Sequence, residues 1–279
     1  MSVNLLHGGA PDGSHWTVAD VGLDRIEHDK VRDDNLMYHL VAAASFVETA
    51  ADLYTRNLVE HFPDPRARAW LTNRWLPEEL QHGRALRAYV ESAWPEVDWE
   101  AGYAGFFDEY SKLCTMEELE SSRALEMAAR CVVETGTATF YTALHRRSKE
   151  PVLTRLTGLI RQDEVRHFNY FRSFFQAYRK EERIGRLGIL RAVVERFTEV
   201  ESEDARIGFK HAWIMRHPGQ LFGDERYGDF LVEARSLMTN YYPYRMAVKM
   251  LLRPLDLNRT FERACVPVLE RVARRLMFI

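Results

Sequence analysis

Apolar residues recur every three or four positions over long stretches of the chain, and no stretch alternates apolar and polar residues for long enough to predict a sheet. Proline and glycine are concentrated between these stretches, as expected at breaks between helices. The pattern predicts helices at residues 34–62, 65–93, 116–147, 150–180, 188–216 and 224–252, the last with a break near Pro243, and a final helix from Pro267. We therefore predict an all-α chain.

These helices divide the chain into three parts. We expect residues 1–33 to form an irregular N-terminal arm, because "HGGAPDGSH" is rich in turn-forming residues. Residues 34–180 carry four long helices, which predicts a four-helix bundle. Residues 181–279 then add C-terminal helices packed on the bundle. With 46% apolar residues, a chain of 279 residues can bury one substantial core, so we expect a single domain.

The composition of the chain indicates its cellular compartment and excludes some classes of partner. The three cysteines form no CxxC pair, and the start of the chain lacks the basic and apolar regions of a signal peptide. No apolar stretch reaches the roughly 18 residues that a spanning helix needs. The formal net charge of -3 argues against extensive nucleic-acid binding. We therefore expect a cytoplasmic protein without a membrane span and without a nucleic-acid partner.

Glutamate is followed three residues later by histidine only twice, as Glu79 with His82 and Glu164 with His167. A chain with ten histidines yields about one such pair by accident, so one pair alone is a weak motif. On a helix, residues at this spacing lie on one face and can reach the same metal ion. Two such helices facing each other predict a site for two ions, which requires further carboxylates.

The further carboxylates are Glu48 and Glu134, each within an apolar stretch of the preceding helix. Glu48 precedes Glu79 by 31 residues and Glu134 precedes Glu164 by 30, so the second set repeats the first. An ionised carboxylate in an apolar interior needs a compensating charge, which metal ions would provide. The predicted metal ligands are therefore Glu48, Glu79, His82, Glu134, Glu164 and His167. The alternative is that the glutamates lie at the surface or in ion pairs and that the histidines are core residues.

The same residues resemble the di-iron carboxylate branch of the ferritin-like fold, in particular the soluble acyl-carrier-protein desaturases. The stretch "EELQHGRAL" is similar to the "EENRHG" segment of that family, and "DEVRH" is similar to its "DEKRH". The resemblance covers about residues 34–180. It implies a ferritin-like bundle, two iron ions or a mixed manganese and iron pair, and dioxygen as co-substrate. It also implies an acyl chain on a carrier protein as substrate, an external electron donor such as a ferredoxin or a reductase, and a homodimer.

The resemblance assigns roles to two further residues. Thr137 falls where the desaturases place a threonine beside the oxygen-binding side of the cluster, although it can equally bond to its own helix. Asp163 matches an aspartate that orients a ligand histidine, although it can equally be a solvated helix charge. A basic C-terminal surface would suit an acidic carrier protein. Its residues are Arg253, Arg259, Arg263, Arg271, Arg274 and Arg275.

Other functions share this ligand pattern. Aldehyde-deformylating oxygenases have similar ligand spacing, "DEVRHFNY" resembles their second motif, and Tyr141 has a counterpart tyrosine in them. An enzyme that oxygenates carbon or nitrogen in a biosynthetic pathway, a ferroxidase-like iron-handling protein, and a metal-free helical interaction module also remain open.

Overall fold

The computed structural model describes residues 16–199 and 203–277, and the regular elements of these ranges are helical. The prediction of an all-α chain is confirmed for them, whereas the turn-rich segment at residues 7–15 lies outside them. The α-helices, numbered α1 to α13 in chain order, are Val18–Val21, Asn35–Thr49, Ala51–His61, Pro65–Trp70, Leu76–Ala93, Trp99–Tyr110, Arg123–Arg147, Pro151–Glu182, Arg186–Glu199, Glu203–Arg216, Asp224–Tyr241, Tyr244–Leu252 and Arg259–Leu276.

Side-chain caps set several helix starts. The Asp34 carboxylate accepts a hydrogen bond from the backbone N–H of Met37 at 3.2 Å and begins α2. Before α8, Glu150 accepts from the backbone N–H groups of Val152 and Leu153 at 3.0 and 2.6 Å, and Pro151 takes the first helical position. Such caps satisfy the N–H groups that the first turn of a helix leaves unpaired.

Two predicted helices are interrupted. The helix predicted over 34–62 is two helices, α2 and α3, which meet at Ala50. The helix predicted over 65–93 contains a π-helical turn, Leu71–Trp75, between α4 and α5. The ring of Pro77 has no N–H and would clash with the carbonyl four residues earlier in a regular helix, so the wider turn before it accommodates the proline.

Helix α6 was not predicted, because its glycines resemble the breaks between helices. They serve close packing instead. A Cβ atom on Gly102 would lie 2.9 Å from Sδ of Met215, and one on Gly105 would lie 2.6 Å from the His211 ring. Both neighbours belong to α10, so the glycines let the two helices approach.

The C-terminal helices also differ from the prediction. Residues 188–216 were predicted as one helix but form α9 and α10, whereas the break near Pro243 is confirmed. The last helix begins at Arg259 after an Asn258 cap, and Pro267 lies inside it. The carbonyl that loses its partner there belongs to Arg263, which is exposed to water.

The packing defines the interior. Helix α2 packs along α5 and α7 packs along α8, while α5 also contacts α8. Helix α10 covers α2 and α6; helices α9, α11 and α12 cover α7; and α13 packs on α12. Between residues 16 and 33, Trp16, Val21, Ile26 and Val31 are buried in the core that α2 and α5 form. None of the described helices is long and apolar enough to cross a membrane.

Candidate metal centre

All six predicted ligands meet in the interior between α2, α5, α7 and α8. They form two groups in which the ligand atoms lie within 4.8 Å of one another. One group contains Glu48 and His82, the other contains Glu134 and His167, and Glu79 and Glu164 belong to both. Each of the six side chains is buried. Each group could therefore hold a metal ion, and the shared carboxylates join the two positions.

The imidazole Nδ1 atoms face the carboxylates. His82 Nδ1 lies 3.2 Å from Glu164 Oε1 and 3.7 Å from Glu48 Oε2. His167 Nδ1 lies 2.9 Å from Glu79 Oε1 and 3.6 Å from Glu134 Oε2. The two rings have centroids 5.9 Å apart. Each imidazole thus presents the same nitrogen to the centre of its own group.

Asp163 holds the other side of His82. Its Oδ2 lies 3.0 Å from His82 Nε2 and accepts a hydrogen bond from Trp16 Nε1 at 2.8 Å, while Oδ1 lies 2.6 Å from the Arg166 guanidinium. The side chain is buried, which excludes the solvated helix charge that the sequence had left open. An Nε2 proton donated to Asp163 leaves the Nδ1 lone pair directed at the metal group.

Glu78 holds the other side of His167 in the same way. It was not among the site residues predicted from the sequence. Its Oε2 lies 2.8 Å from His167 Nε2, and its Oε1 lies 2.5 Å from Arg74. A sequence signal existed, because Glu78 precedes Glu79 as Asp163 precedes Glu164. For Trp16 no such signal existed, since it lies 147 residues from Asp163 in a segment predicted to be irregular.

Two hydroxyl groups of α7 contact the carboxylates. Thr137 Oγ1 donates to Glu164 Oε2 at 2.6 Å and lies 3.3 Å from the carbonyl of Glu134 in its own helix. The much shorter contact is the one into the centre. Tyr141 donates its hydroxyl proton to Glu48 Oε1 at 2.5 Å. These hydroxyls fix carboxylate orientations and leave the opposite oxygen of each free to face a metal position.

The donor set fits metal ions. One buried atom on each of five ligands lacks a well-aligned hydrogen bond, although these atoms cluster together. Unpaired polar atoms in a protein interior cost free energy, and bound cations would satisfy all of them. They are Glu79 Oε1, His82 Nδ1, Glu134 Oε2, Glu164 Oε1 and His167 Nδ1.

The pKa values of these groups in the metal-free protein also indicate that the site favours additional positive charge. Burial raises the pKa of the Glu134 carboxyl to about 8 and raises the pKa of Glu79 well above its usual range. Burial alone would lower the pKa of His82 and His167, but hydrogen bonds to the surrounding carboxylates outweigh it and raise both. In all four groups the shift favours the protonated form, so a metal ion would compete with protons for both Nδ1 atoms.

Close backbone approach brings the first group together. A Cβ atom on Gly83 would lie 2.7 Å from the backbone nitrogen of Thr49, closer than real Cβ atoms come to backbone. Gly83 follows His82, and Thr49 follows Glu48. The missing side chain therefore lets α5 approach α2 where each supplies its ligand.

No family model matches the chain, and a search of curated proteins found no match. The geometry of the site and the residues that form it therefore carry the functional argument.

Proposed function

We propose that this protein is a non-haem di-iron oxidoreductase that uses dioxygen to oxidise an organic substrate, on a ferritin-like four-helix bundle. One observation carries the proposal: two groups of buried carboxylates and imidazoles share Glu79 and Glu164, so two ions bound there would be neighbours. Two helices that each supply a glutamate, and two that each supply Glu-x-x-His, are the ligand arrangement of di-iron bundles. Mixed nitrogen and oxygen donors suit iron, alone or paired with manganese.

Two iron ions in these groups would supply the redox chemistry that activates dioxygen, with electrons from a ferredoxin or a reductase. The chain supplies the arrangement around them. Asp163 and Glu78 accept the Nε2 protons of His82 and His167, which keeps each Nδ1 lone pair on the metal side. Thr137 Oγ1 donates its proton to the shared carboxylate of Glu164, with 2.6 Å between the two oxygens.

The substrate that we propose is an acyl chain, carried on an acidic carrier protein, and the reaction is a desaturation or an oxygenation. The resemblance of "EELQHGRAL" and "DEVRH" to the acyl-carrier-protein desaturases supports this choice. The arginines of the C-terminal helices are consistent with an acidic partner, because opposite charges favour encounter. Deformylation of an aldehyde would use the same ligands and is the nearest alternative reaction.

Anaerobic loading with ferrous iron, followed by exposure to dioxygen, tests the proposal. We expect about two iron ions per chain, and dioxygen consumption that depends on both a reductase and an acyl thioester. Glu164→Ala should lower bound iron to less than about one ion per chain and abolish turnover, because this carboxylate belongs to both groups. The matched control is Glu181→Ala on the same helix, which removes a carboxylate that is 57% exposed and should leave both unchanged.

Two outcomes would contradict the proposal. Iron oxidation that proceeds equally with and without every organic substrate would assign a ferroxidase-like, iron-handling function. Failure of the wild-type chain to bind iron or manganese would leave a metal-free helical module.

A further inference from the structure

A groove lies along α12, against α7 and α8 on one side and α13 on the other. It consists of a cavity of about 490 Å³ and an adjoining cavity of about 300 Å³, and Arg245 and Lys249 line both. These volumes fall in the range of small-molecule sites. We call this region the basic groove, after its cationic lining residues Arg146, Arg245, Lys249, Arg253, Arg259, Arg263 and Arg274.

Positive charge in the basic groove is poorly compensated. Among the residues that the structure describes, Glu262 is the one carboxylate that lines the two cavities. Glu270 lies beside them and is shared by two arginines, at 3.7 Å from Arg245 and 3.2 Å from Arg274. Lys249 forms no ion pair with any residue in the described part of the chain. Seven cationic side chains therefore face two carboxylates, and the surplus favours an anionic ligand.

Several cationic groups are held in place. The Arg274 guanidinium lies over the Tyr244 ring, 4.6 Å from its centroid, and Arg253 donates to Asn169 Oδ1 at 3.3 Å. Arg245 is held at Glu270. A ligand would lose less side-chain entropy on binding to such ordered groups than to freely moving ones.

The larger cavity also has an apolar wall. It is formed by Val165 and Phe168 of α8 and by Met246 and Met250 of α12. Phe168 and Met250 are almost completely buried beneath it, so the apolar surface open to a ligand comes mainly from the half-buried Val165 and Met246. A ligand that fills the cavity therefore needs an apolar part as well as an anionic part.

We propose that the basic groove binds an organic phosphate monoester, with its phosphate among the arginines and Lys249 and its apolar group against Val165 and Met246. Guanidinium groups bind phosphate oxygens in bidentate geometry, and a phosphate dianion neutralises more of the surplus charge than a carboxylate. The site is formed by residues other than the candidate metal ligands, so its existence does not depend on metal binding. Four of its arginines also belong to the surface proposed to meet a carrier protein: Arg253, Arg259, Arg263 and Arg274.

Calorimetric titration of the purified full-length chain with hexyl phosphate tests the proposal. We expect saturable binding that is tighter than binding of inorganic phosphate or of hexanoate and is absent with hexyltrimethylammonium. Lys249→Glu should raise the Kd about tenfold or more, because a charge-assisted hydrogen bond becomes a repulsion. The matched control is Lys149→Glu, which reverses the charge of another exposed lysine, outside the groove, and should leave the Kd unchanged.

A second variant, Arg263→Glu, should weaken the binding of hexyl phosphate as Lys249→Glu does. Vesicles containing phosphatidic acid identify the source of the phosphate. Binding to them that is lost in Lys249→Glu would assign the groove to a lipid headgroup, whereas binding of hexyl phosphate alone would assign it to a soluble ester. Absence of saturable binding by either probe would overturn the proposal, as would equal weakening by Lys249→Glu and Lys149→Glu.

Discussion

The two halves of the metal centre repeat one local design but depend on each other. The first half, on α2 and α5, and the second, on α7 and α8, each contain Glu-Thr on one helix and an acidic residue followed by Glu-x-x-His on the next. Asp163 of the second half holds His82 of the first, and Glu78 of the first holds His167 of the second. Neither half can orient its own histidine, so the duplicated site requires both.

The hydroxyl contacts do not follow this symmetry. Helix α7 continues past Glu134 to Arg147 and supplies Thr137 and Tyr141, whereas α2 ends at Thr49. The positions equivalent to Thr137 and Tyr141 are Ala51, which has no hydroxyl, and Thr55, whose hydroxyl donates to its own helix at 2.6 Å. The candidate ligands are therefore duplicated, whereas within residues 16–199 and 203–277 the hydroxyls that contact them come from α7.

The largest effect should come from a carboxylate that the halves share. Glu79→Ala removes a ligand from both groups, so we expect bound iron to fall from about two ions per chain to less than one. Elemental analysis after anaerobic loading measures this. Glu91→Ala, at an exposed position of the same helix, is the control. Retention of one full ion in Glu79→Ala would show that the halves bind metal independently.

The next largest effect is a pH dependence of folding stability that comes from Glu134 in the second half. Because burial raises the pKa of Glu134 to about 8, the folded metal-free chain keeps a proton that the unfolded chain releases near its ordinary value of 4.5. The stability that this proton contributes is complete below pH 4.5 and is lost as the pH rises from there to about 8. Over this range the free energy of unfolding falls by up to about 1.4 kcal/mol per pH unit.

Urea unfolding in chelator at several pH values within that window measures this loss. Glu134→Gln cannot ionise and should have a flatter pH dependence, whereas the exposed control Glu181→Gln should behave as the wild type does. A slope that is unchanged in Glu134→Gln would assign the pH dependence to other groups.

A smaller effect should follow from removing either acid that orients a histidine. Asp163→Asn and Glu78→Gln should each lower iron affinity by about 10- to 100-fold, since such outer hydrogen bonds fix the tautomer of the ligand imidazole. Competition with a chelator measures both. Each acid holds the histidine of the opposite half. We therefore expect losses of similar size, for Asp163→Asn at the position of His82 and for Glu78→Gln at the position of His167. A loss confined to Asp163→Asn would show that Glu78 does not orient His167.

The smallest effect tests the hydroxyl asymmetry. Tyr141→Phe removes the donor to Glu48 while keeping the buried ring, so we expect a cost of about 1 kcal/mol, or about fivefold in iron affinity. Thr55→Val, at the equivalent position of the first half, should leave iron affinity unchanged. Equal losses in both variants would contradict the asymmetry.

That the six residues would meet could be predicted from sequence, because spacing on a helix is a local property. A carboxylate and an imidazole three residues apart share a face whatever the rest of the chain does. Glu78 was missed, because the spacing to a histidine says nothing about the residue beside each motif. It could not have found Trp16, whose contact with Asp163 is set only by tertiary packing.

The helical class was equally predictable, but its interruptions were not. Ala50 ends α2 without proline or glycine to mark the break, and the π-helical turn before Pro77 is a response to a proline inside a predicted helix. Conversely, Gly102 and Gly105 looked like breaks because their use as contact points for α10 depends on a distant segment. Local signals predicted where helices are favoured, and long-range packing determined where they bend or continue.

Gly83 makes the first half less tolerant of substitution than the second half. The equivalent residue of the second half is Phe168, a large side chain whose neighbours can exchange volume with it during sequence drift. At Gly83, even one added carbon displaces the backbone of Thr49 and thereby Glu48. We therefore expect a substitution at Gly83 to disrupt the first group at once, whereas substitutions at Phe168 can change the surroundings of the second group by small steps.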